Sequence, residues 1–329
     1  NISNIEDFKD KKQRNENRRE DNVFTYKELP SRGLPIAIRE YAPGSQVVID
    51  GRVYRSAGVS LSSYRDQAIG HAQQIDLFWQ CRRCGEPGFR QFAYSGGNDN
   101  ACQQCGTEIG YRDIQMLLRP VGFVTDYYEA TTNDVSSQKF IPVQRPMVSV
   151  SDQFAQLPDP RCGFLRFGEN GRVLHHSSGE HGHGYAVCLA CGRADSMSPT
   201  GDLPKQFNPG EMHRPVGGPK AGSPQRDCSA ENVKAGLHLG YQAQTHVMEF
   251  VLKSPLSGAW IGDDDEGRIV AMTLAVALRD SIADGLGVAA TEMGFATRVD
   301  RDTETGQERR IIQIYDQVAG GAGVAISAL

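Results

Sequence analysis

Residues 81–106 read CRRCGEPGFRQFAYSGGNDNACQQCG and contain two Cys-x2-Cys-Gly units. A third unit of the same kind, CLACG, follows at residues 188–192. Two thiolates three positions apart can face one metal ion across a tight turn, and the glycine lets the backbone curl so that amide groups point at the sulfurs. Each unit therefore indicates a zinc knuckle, a turn that holds a metal ion through two cysteines.

The first two knuckles have the spacing of a zinc ribbon. Cys81-x2-Cys84-x17-Cys102-x2-Cys105 predicts one zinc ion bound by four thiolates, with each knuckle at the tip of a short hairpin. Paired disulfides are disfavoured because the chain opens without a secretory signal and has enough apolar residues for a core. A thioredoxin-like redox pair would occur once, at the start of a helix, and not twice at ribbon spacing.

The third knuckle, formed by Cys188 and Cys191, needs two further ligands. Cys228 closes a loop rich in Pro and Gly, and His213 lies within that loop, so these two residues complete the predicted second zinc site. Cys162 stays open as a rival fourth ligand, although it precedes a predicted strand, where a free cysteine is usually a small core residue. Four nearby histidines are more typical of an exposed hairpin loop than of a metal site: His175, His176, His181 and His183.

The surroundings of the first knuckle suggest contact with nucleic acid. Arg82 and Arg83 lie between the thiolates and Arg90 follows them, with aromatic residues nearby at Trp79, Phe92 and Tyr94. Cations interleaved with rings suit the backbone and bases of a single strand, so these three arginines are the candidate nucleic-acid-binding residues. An alternative stays open, because residues 81–119 carry four acidic residues against five arginines and aromatic residues usually form the core of a small ribbon.

The overall charge argues against a dedicated nucleic-acid-binding protein. The 329 residues contain 35 Lys and Arg against 40 Asp and Glu, a net charge of −5, so any contact with phosphate must be local. The longest uncharged apolar run, residues 269–278, is about half of what spans a bilayer. No signal peptide opens the chain and Asn1 is not Met, so we expect a cytoplasmic fragment of a larger polypeptide.

Local patterns predict an α+β fold. Asp50-Gly51 between two apolar runs indicates a β-hairpin with a two-residue turn, and apolar residues at i, i+3, i+4, i+7 indicate an amphipathic helix over residues 269–286. We expect a mixed sheet with packed helices, an inserted four-cysteine zinc ribbon and a second zinc-knuckle loop region. We expect a charged tail or linker at 1–21, a β-rich hairpin segment at 22–70 and the zinc ribbon at 71–119. A β-rich segment with the second zinc site and the Pro/Gly loop follows at 120–228, and an α/β core at 229–329.

Catalytic signatures are missing from the sequence. It contains no phosphate-binding loop of the Gly-x4-Gly-Lys-Ser/Thr kind, no Gly-x-Ser-x-Gly elbow and no His-Glu-x-x-His motif. The acidic residues Asp263–Glu266 precede the predicted helix, where they complement its dipole more readily than they bind a divalent ion. The glycine turn at residues 320–323 lacks a lysine and is more typical of tight packing than of phosphate binding. Both predicted zinc sites are closed by four ligands and therefore stabilise the fold.

Several stretches of the sequence, taken together, resemble a known protein family. They are APGSQVVIDG at 42–51, the ribbon, YAVCLACG at 185–192 with His213 and Cys228, and IYDQVAGGAG at 314–323. From about Leu29 to Leu329 the chain resembles the C-terminal zinc-binding region of MrfA-like superfamily-two helicases. That region follows two RecA-like motor lobes in DNA-repair helicases. It recurs in large DEAD/DEAH-type helicases and accessory proteins of phage-defence systems such as DISARM and Druantia.

The resemblance implies a function for the whole protein. It implies a zinc-binding accessory module of an ATP-dependent DNA helicase in antiviral defence or DNA repair, holding two structural zinc ions. DNA would be contacted through the larger helicase, and a defence or repair subunit is a possible partner. A second interpretation is a pure protein–protein interaction module without DNA binding, which the net acidity favours. A nuclease or redox activity has no support in the residue spacing.

Overall fold

The computed structural model describes residues 2–5, 26–27, 32–61, 75–91, 101–136, 138–217, 227–301 and 306–327. The chain forms two compact units, each discontinuous in sequence. Unit 1 comprises Asn1–Ile75, Met116–Gln144 and His176–Tyr241, and unit 2 comprises Asp76–Gln115, Arg145–His175 and Gln242–Leu329. Of the predicted charged tail, only residues 2–5 are described, and the five-segment division stays a prediction.

The described residues form eighteen strands and three helices. The strands are β1 Ile2–Ile5, β2 Tyr26–Lys27, β3 Gln46–Ile49, β4 Arg52–Ser60, β5 Ile75–Gln80, β6 Pro87–Arg90, β7 Gln115–Leu118, β8 Gly122–Thr125, β9 Met147–Ser149, β10 Ala155–Gln156, β11 Gly163–Ser177, β12 Tyr185–Cys188, β13 Ala194–Ser196, β14 Met212–His213, β15 Cys228–Ser229, β16 Val233–Leu252, β17 Met293–Arg301 and β18 Glu308–Asp316. The helices are α1 Leu34–Tyr41, α2 Asp265–Leu286 and α3 Val324–Ser327.

Unit 1 contains the hairpin of β3 and β4. Asp50 and Gly51 occupy its turn with φ angles of +50° and +72°, so the predicted two-residue Asp-Gly turn is confirmed. β4 also pairs with β8 in antiparallel orientation, and β8 pairs with β1 in parallel. β12 pairs with β13 and with the first part of β16, which in turn pairs in parallel with β7. These pairings place the third knuckle at the end of β12.

The core of unit 2 lies between α2 and the antiparallel strands β17, β18 and the last part of β16. Ile312 and Ile314 of β18 are fully buried beside Ala271 and Ala275 of the helix. Alanines on this face bring the helix axis close to the sheet, and larger apolar residues pack around them. The predicted apolar face of the helix is therefore confirmed, including its flanking residues Leu274, Leu278 and Ile282.

The helix α2 begins at Asp265, earlier than the predicted start at residue 269. Asp264 is the N-cap, and its carboxylate accepts a hydrogen bond from the Gly267 amide at 2.7 Å. Asp265 and Glu266 follow in the first turn, where the helix dipole favours negative charge. The predicted role of the acidic residues at the helix start is thus confirmed, and only the start itself was placed four residues late, because the apolar face alone was periodic.

Unit 2 also encloses a network of charged side chains. Arg166 donates to Glu249 at 2.5 Å, and Arg298 lies 2.8 Å from Glu86. Gln313 donates a further hydrogen bond to Glu249 at 2.5 Å. Burial raises the pKa of Glu86, and the charge of Arg298 opposes that rise. Asp300 lies 3.8 Å from Arg298 and is itself paired with Arg309 at 2.9 Å. Three carboxylates and three guanidiniums therefore balance in charge, which a buried cluster requires because an unpaired buried ion is costly.

The two units together confirm the predicted α+β class. Both contain antiparallel strands and helices, unit 1 also contains parallel pairing, and each unit contains one cysteine-rich group. Sequence patterns placed the hairpin and the helix face. The charged network was not predicted, although Glu249 within an otherwise apolar strand was a sign of it.

Removing the N-cap carboxylate should lower the stability of unit 2. Asp264→Ala leaves the first amide groups of α2 without an acceptor, and we expect a loss of about 1 kcal/mol in the free energy of unfolding. Asp264→Asn keeps an acceptor and should restore most of that loss. Chemical denaturation followed by circular dichroism measures both variants. Equal losses in the two variants would contradict the assignment of Asp264 as the cap.

Candidate metal centres

The three Cys-x2-Cys-Gly units share one turn geometry. In each unit the glycine amide donates to the carbonyl of the first cysteine at 2.8 Å, as seen for Gly85, Gly106 and Gly192. These glycines have φ angles of +73°, +69° and +82°, in the left-handed region that side chains with a Cβ rarely adopt. The sequence interpretation of a tight turn that directs both thiols to one side is therefore confirmed.

The first centre lies in unit 2 and joins the two knuckles of the ribbon. Cys81 Sγ lies 3.6 Å from Cys105 Sγ, and Cys84 Sγ lies 3.6 Å from Cys102 Sγ. All four sulfurs lie within 4.8 Å of one another. Zinc–sulfur bonds of about 2.3 Å in a tetrahedron place neighbouring sulfurs about 3.8 Å apart. The four thiols therefore fit a zinc ion, and their set leaves no fifth protein ligand or open position.

The environment of this centre prepares one thiol for metal binding. Burial alone would raise the pKa of Cys105, but hydrogen bonds with Thr107 and neighbouring thiols lower it to about 7. Burial raises the pKa of Cys84. A bound cation supplies the charge that keeps such buried thiols deprotonated, because the thiolate is the form that coordinates metal.

One knuckle of the ribbon packs directly on the sheet of unit 2. A Cβ atom at Gly85 would lie 1.9 Å from the carbonyl oxygen of Val299 in β17. Arg298 of the same strand donates to the carbonyl of Cys84 at 3.3 Å and also belongs to the charged network. A Cβ at Gly106 would meet no atom within 4 Å. The knuckle of Cys81 and Cys84 is thus fixed to the core, and the knuckle of Cys102 and Cys105 is not packed in this way.

The second centre lies in unit 1 and combines three thiols with one imidazole. Cys188, Cys191, His213 and Cys228 bring their ligand atoms within 4.8 Å of one another, and Cys191 Sγ lies 3.6 Å from His213 Nε2. β14 pairs with β15 so that His213 lies opposite Cys228. Phe207 contacts the imidazole edge-on, with ring centroids 4.9 Å apart. The prediction of two groups that could hold metal ions is confirmed, and both donor sets are consistent with zinc.

The rival ligands lie elsewhere. Cys162 ends the short 3-10 turn Pro160–Cys162 and is not part of either ligand group. The expectation of an exposed loop is wrong for His175 and His176, which lie in β11. His176 is buried, and burial lowers the pKa of His175 to about 4. His181 and His183 are exposed. Of the described histidines, His213 is the one that a ligand group includes.

Arg193 holds the loop that carries His213. Its guanidinium binds both carboxylate oxygens of Asp126, at 2.9 and 3.2 Å. Its Nε donates to the carbonyl of Arg214, the residue after the ligand, at 2.6 Å. Burial would raise the pKa of Asp126, but the hydrogen bonds from Arg193 and from the Tyr128 amide lower it. Sequence reasoning missed Arg193, although its position directly after the knuckle glycine was a clue.

The candidate nucleic-acid residues have different surroundings. Arg82 and Arg83 are exposed on the turn between the thiols, and Arg90 is half-buried in β6. Arg82 forms an ion pair with Asp113. Arg83 has no ion pair among the residues that the structure describes. The aromatic neighbours Phe92 and Tyr94 lie outside the described residues, and Trp79 is buried. Whether these arginines meet nucleic acid stays a prediction.

The glycine turn at residues 320–323 wraps around a buried carboxylate. Asp316 accepts hydrogen bonds from the amides of Ala322 and Ala325, at 2.8 and 2.9 Å. A third neighbour of this carboxylate is His246 Nδ1, at 3.3 Å. The amides of the turn therefore donate to a side chain of the same chain, in agreement with the packing interpretation.

No described helix is long and apolar enough to cross a membrane.

Comparison with known proteins gives a distant similarity. The chain is 24% identical over 322 residues to Druantia protein DruE of Escherichia coli (strain UMEA 4076-1). The aligned region covers 90% of this chain and 16% of that relative, so the chain spans about one sixth of the length of the protein that it resembles. No protein-family model matches the chain. No solved structure matches it.

Metal analysis of two variants should identify the fourth ligand of the second centre. His213→Ala removes one of four donors, and we expect the zinc content to fall from two ions per chain to one. Cys162→Ala should leave both ions bound and cost only packing. Elemental analysis of the purified variants measures this difference. Loss of zinc from Cys162→Ala and retention by His213→Ala would reassign the ligand.

Breaking the contact between Arg193 and Asp126 should loosen the second centre alone. Arg193→Gln leaves a buried carboxylate unpaired, at a cost of about 3–5 kcal/mol, and frees the segment after His213. We expect faster zinc release from the second centre to a chelator and unchanged release from the first. Arg52→Gln is the control, because Arg52 is an exposed arginine of the same unit and lies in β4, outside the second centre.

Acid should weaken the same contact. Since the folded-state pKa of Asp126 is lowered, the stability from this pair is present at neutral pH and is lost as the pH falls through that pKa.

For the Arg193→Gln variant, zinc release to the chelator at the same rate as from the unaltered protein would contradict a positioning role for Arg193.

Proposed function

We propose that this chain is a zinc-binding accessory module of a larger ATP-dependent DNA helicase that serves phage defence or DNA repair. The observation that carries the proposal is a pair of closed metal-ligand sets within a stretch that aligns with DruE over 90% of this chain. Druantia is also one of the phage-defence systems that the motif resemblance indicates. Defence is therefore the pathway that we favour over repair.

The closed ligand sets determine what the centres do in this proposal. Each set has four protein donors, so a bound zinc ion would offer no position to water or substrate and would stabilise the surrounding turns. ATP hydrolysis needs a phosphate-binding loop with its lysine, and the chain has no such motif. We assign the motor activity to other parts of the helicase and the positioning of a strand or subunit to this module.

For the proposed contact with DNA we can name a surface of the protein. Arg82 and Arg83 lie at the tip of the first knuckle, and Arg90 lies in the neighbouring strand β6. A rigid knuckle that holds exposed guanidiniums suits phosphate contacts, because less side-chain and backbone freedom is lost on binding. Such contacts would be independent of base sequence.

A second candidate function is a pure protein–protein interaction module. The net charge of −5 and the ion pair between Arg82 and Asp113 favour it, since both reduce the attraction of a phosphate backbone. In that case a defence or repair subunit would be the partner and DNA would not bind. The salt dependence of DNA binding separates the two functions.

Replacing the three arginines of the knuckle surface tests the DNA contact. Arg82→Ala, Arg83→Ala and Arg90→Ala together should weaken DNA binding to a similar degree for every sequence. We expect the slope of log affinity against log salt to flatten by about 0.7 per lost contact on single strands and about 0.9 on duplex. Fluorescence anisotropy with labelled oligonucleotides at several salt concentrations measures both quantities.

A second triple variant controls for the change in net charge. Arg39→Ala, Arg52→Ala and Arg268→Ala remove three exposed arginines that lie outside the ribbon. This variant should bind DNA like the unaltered protein. The same affinity and the same slope in the knuckle variant would favour the interaction module.

A further inference from the structure

A cleft of about 280 Å³ lies in unit 2 beside the ribbon knuckle of Cys102 and Cys105, which we call the outer knuckle. Its floor includes Trp79 of β5, Phe89 of β6 and Val150. Its polar rim includes Gln103 and Gln104 from the turn between Cys102 and Cys105. Three further rim residues come from the sheet: Asn170, Arg172 and Gln244. The volume is near the lower limit for small-ligand sites, which suits one planar group and excludes a folded element.

The rim side chains are not used by the fold. Within the described residues, the amide groups of Gln103, Gln104, Asn170 and Gln244 form no side-chain hydrogen bond, and Arg172 forms no ion pair. All five residues are exposed. Glu86 also lines the cleft, but its carboxylate is neutralised by Arg298 and Arg166 and accepts a hydrogen bond from Ser149 at 2.7 Å. Arg172 is therefore the cleft's one charge that has no counter-ion among the described residues.

This combination has a definite ligand chemistry. Side-chain amides present a donor and an acceptor next to each other, which matches the hydrogen-bonding edge of a nucleobase. A floor with aromatic residues suits the apolar face of a base, and a single arginine suits a single phosphate. A peptide would need either a matching charged side chain or a continuous apolar groove, and the rim is mainly neutral and polar.

We propose that the cleft binds one unpaired nucleotide of a single-stranded nucleic acid. The base enters between the aromatic floor and the amides of Gln104 and Asn170, and its phosphate contacts Arg172. This inference rests on the proposed DNA contact and deepens it, because it names the form of nucleic acid and a second contact region apart from Arg82 and Arg83. A base within a duplex is paired and stacked, so its Watson–Crick edge and its faces are not free to enter the cleft.

Two variants of the exposed rim test the base and phosphate contacts separately. Arg172→Gln should lower the affinity for a single-stranded oligonucleotide about tenfold and flatten its salt slope by about 0.7. The double variant Gln104→Ala and Asn170→Ala should lower the affinity to a similar degree with the slope unchanged, because it removes no charge. It should also lose the preference for that oligonucleotide over an abasic strand of equal length. Duplex affinity should stay the same in both variants.

The control variant and the controls for folding use the intact chain. Arg161→Gln removes an equal charge from the same unit at an exposed residue that is paired with Asp159, and it should bind like the unaltered protein. Zinc content and circular dichroism verify that each variant is folded. The probe is a fluorescently labelled single strand, its abasic counterpart and its duplex, compared at several salt concentrations.

The outcomes separate this proposal from the proposed function. Single-strand binding that is unchanged in both rim variants would overturn the cleft proposal and leave the DNA contact of the knuckle intact. Failure of the unaltered chain to bind any oligonucleotide would overturn both. Protection of residues 103–104 and 170–172 from hydrogen exchange by a protein subunit, without oligonucleotide binding, would assign the cleft to a protein partner.

Discussion

The structure depends on the backbone turn that follows each Cys-x2-Cys pair. The glycine in this turn has a positive φ angle, and at two of the three knuckles it also lies against a strand: Gly85 against Val299, and Gly192 against Val59. A Cβ atom at these positions would lie 1.9 and 2.1 Å from a carbonyl oxygen. The same residue therefore shapes the metal site and attaches it to its unit, so metal binding and folding are coupled in both units.

Arginine–carboxylate contacts support both centres. In unit 2, Arg298 joins the carbonyl of Cys84 to a balanced network with Glu86 and Glu249. In unit 1, Arg193 and Asp126 hold the segment that follows His213. Such pairs contribute little net stability when intact, but removing one partner leaves an uncompensated buried charge. They therefore fix the position of the ligands more than they increase the free energy of folding, and they explain how a long loop delivers a histidine to a distant knuckle.

The sequence predicted the features that depend on local chemistry. The Cys-x2-Cys-Gly spacing identified the knuckles, the Asp50-Gly51 pair identified a hairpin, and apolar periodicity identified the face of α2. It did not reveal the division into two units, because each unit is assembled from three separated stretches and no local pattern records their association. Nor did it reveal the roles of Glu249 or Arg193, since a charged residue is expected at the surface until a partner across the fold is known.

In this account a zinc-stabilised ribbon presents an outer knuckle, and the cleft beside it offers unpaired polar groups to a single strand. The central claim is that both centres are closed, structural zinc sites. X-ray absorption at the zinc edge tests it most directly on the intact chain. We expect two separate ions with seven sulfur ligands and one nitrogen ligand in total, at zinc–sulfur distances of about 2.3 Å. Oxygen ligands, or fewer than three sulfurs on either ion, would show an open site and contradict it.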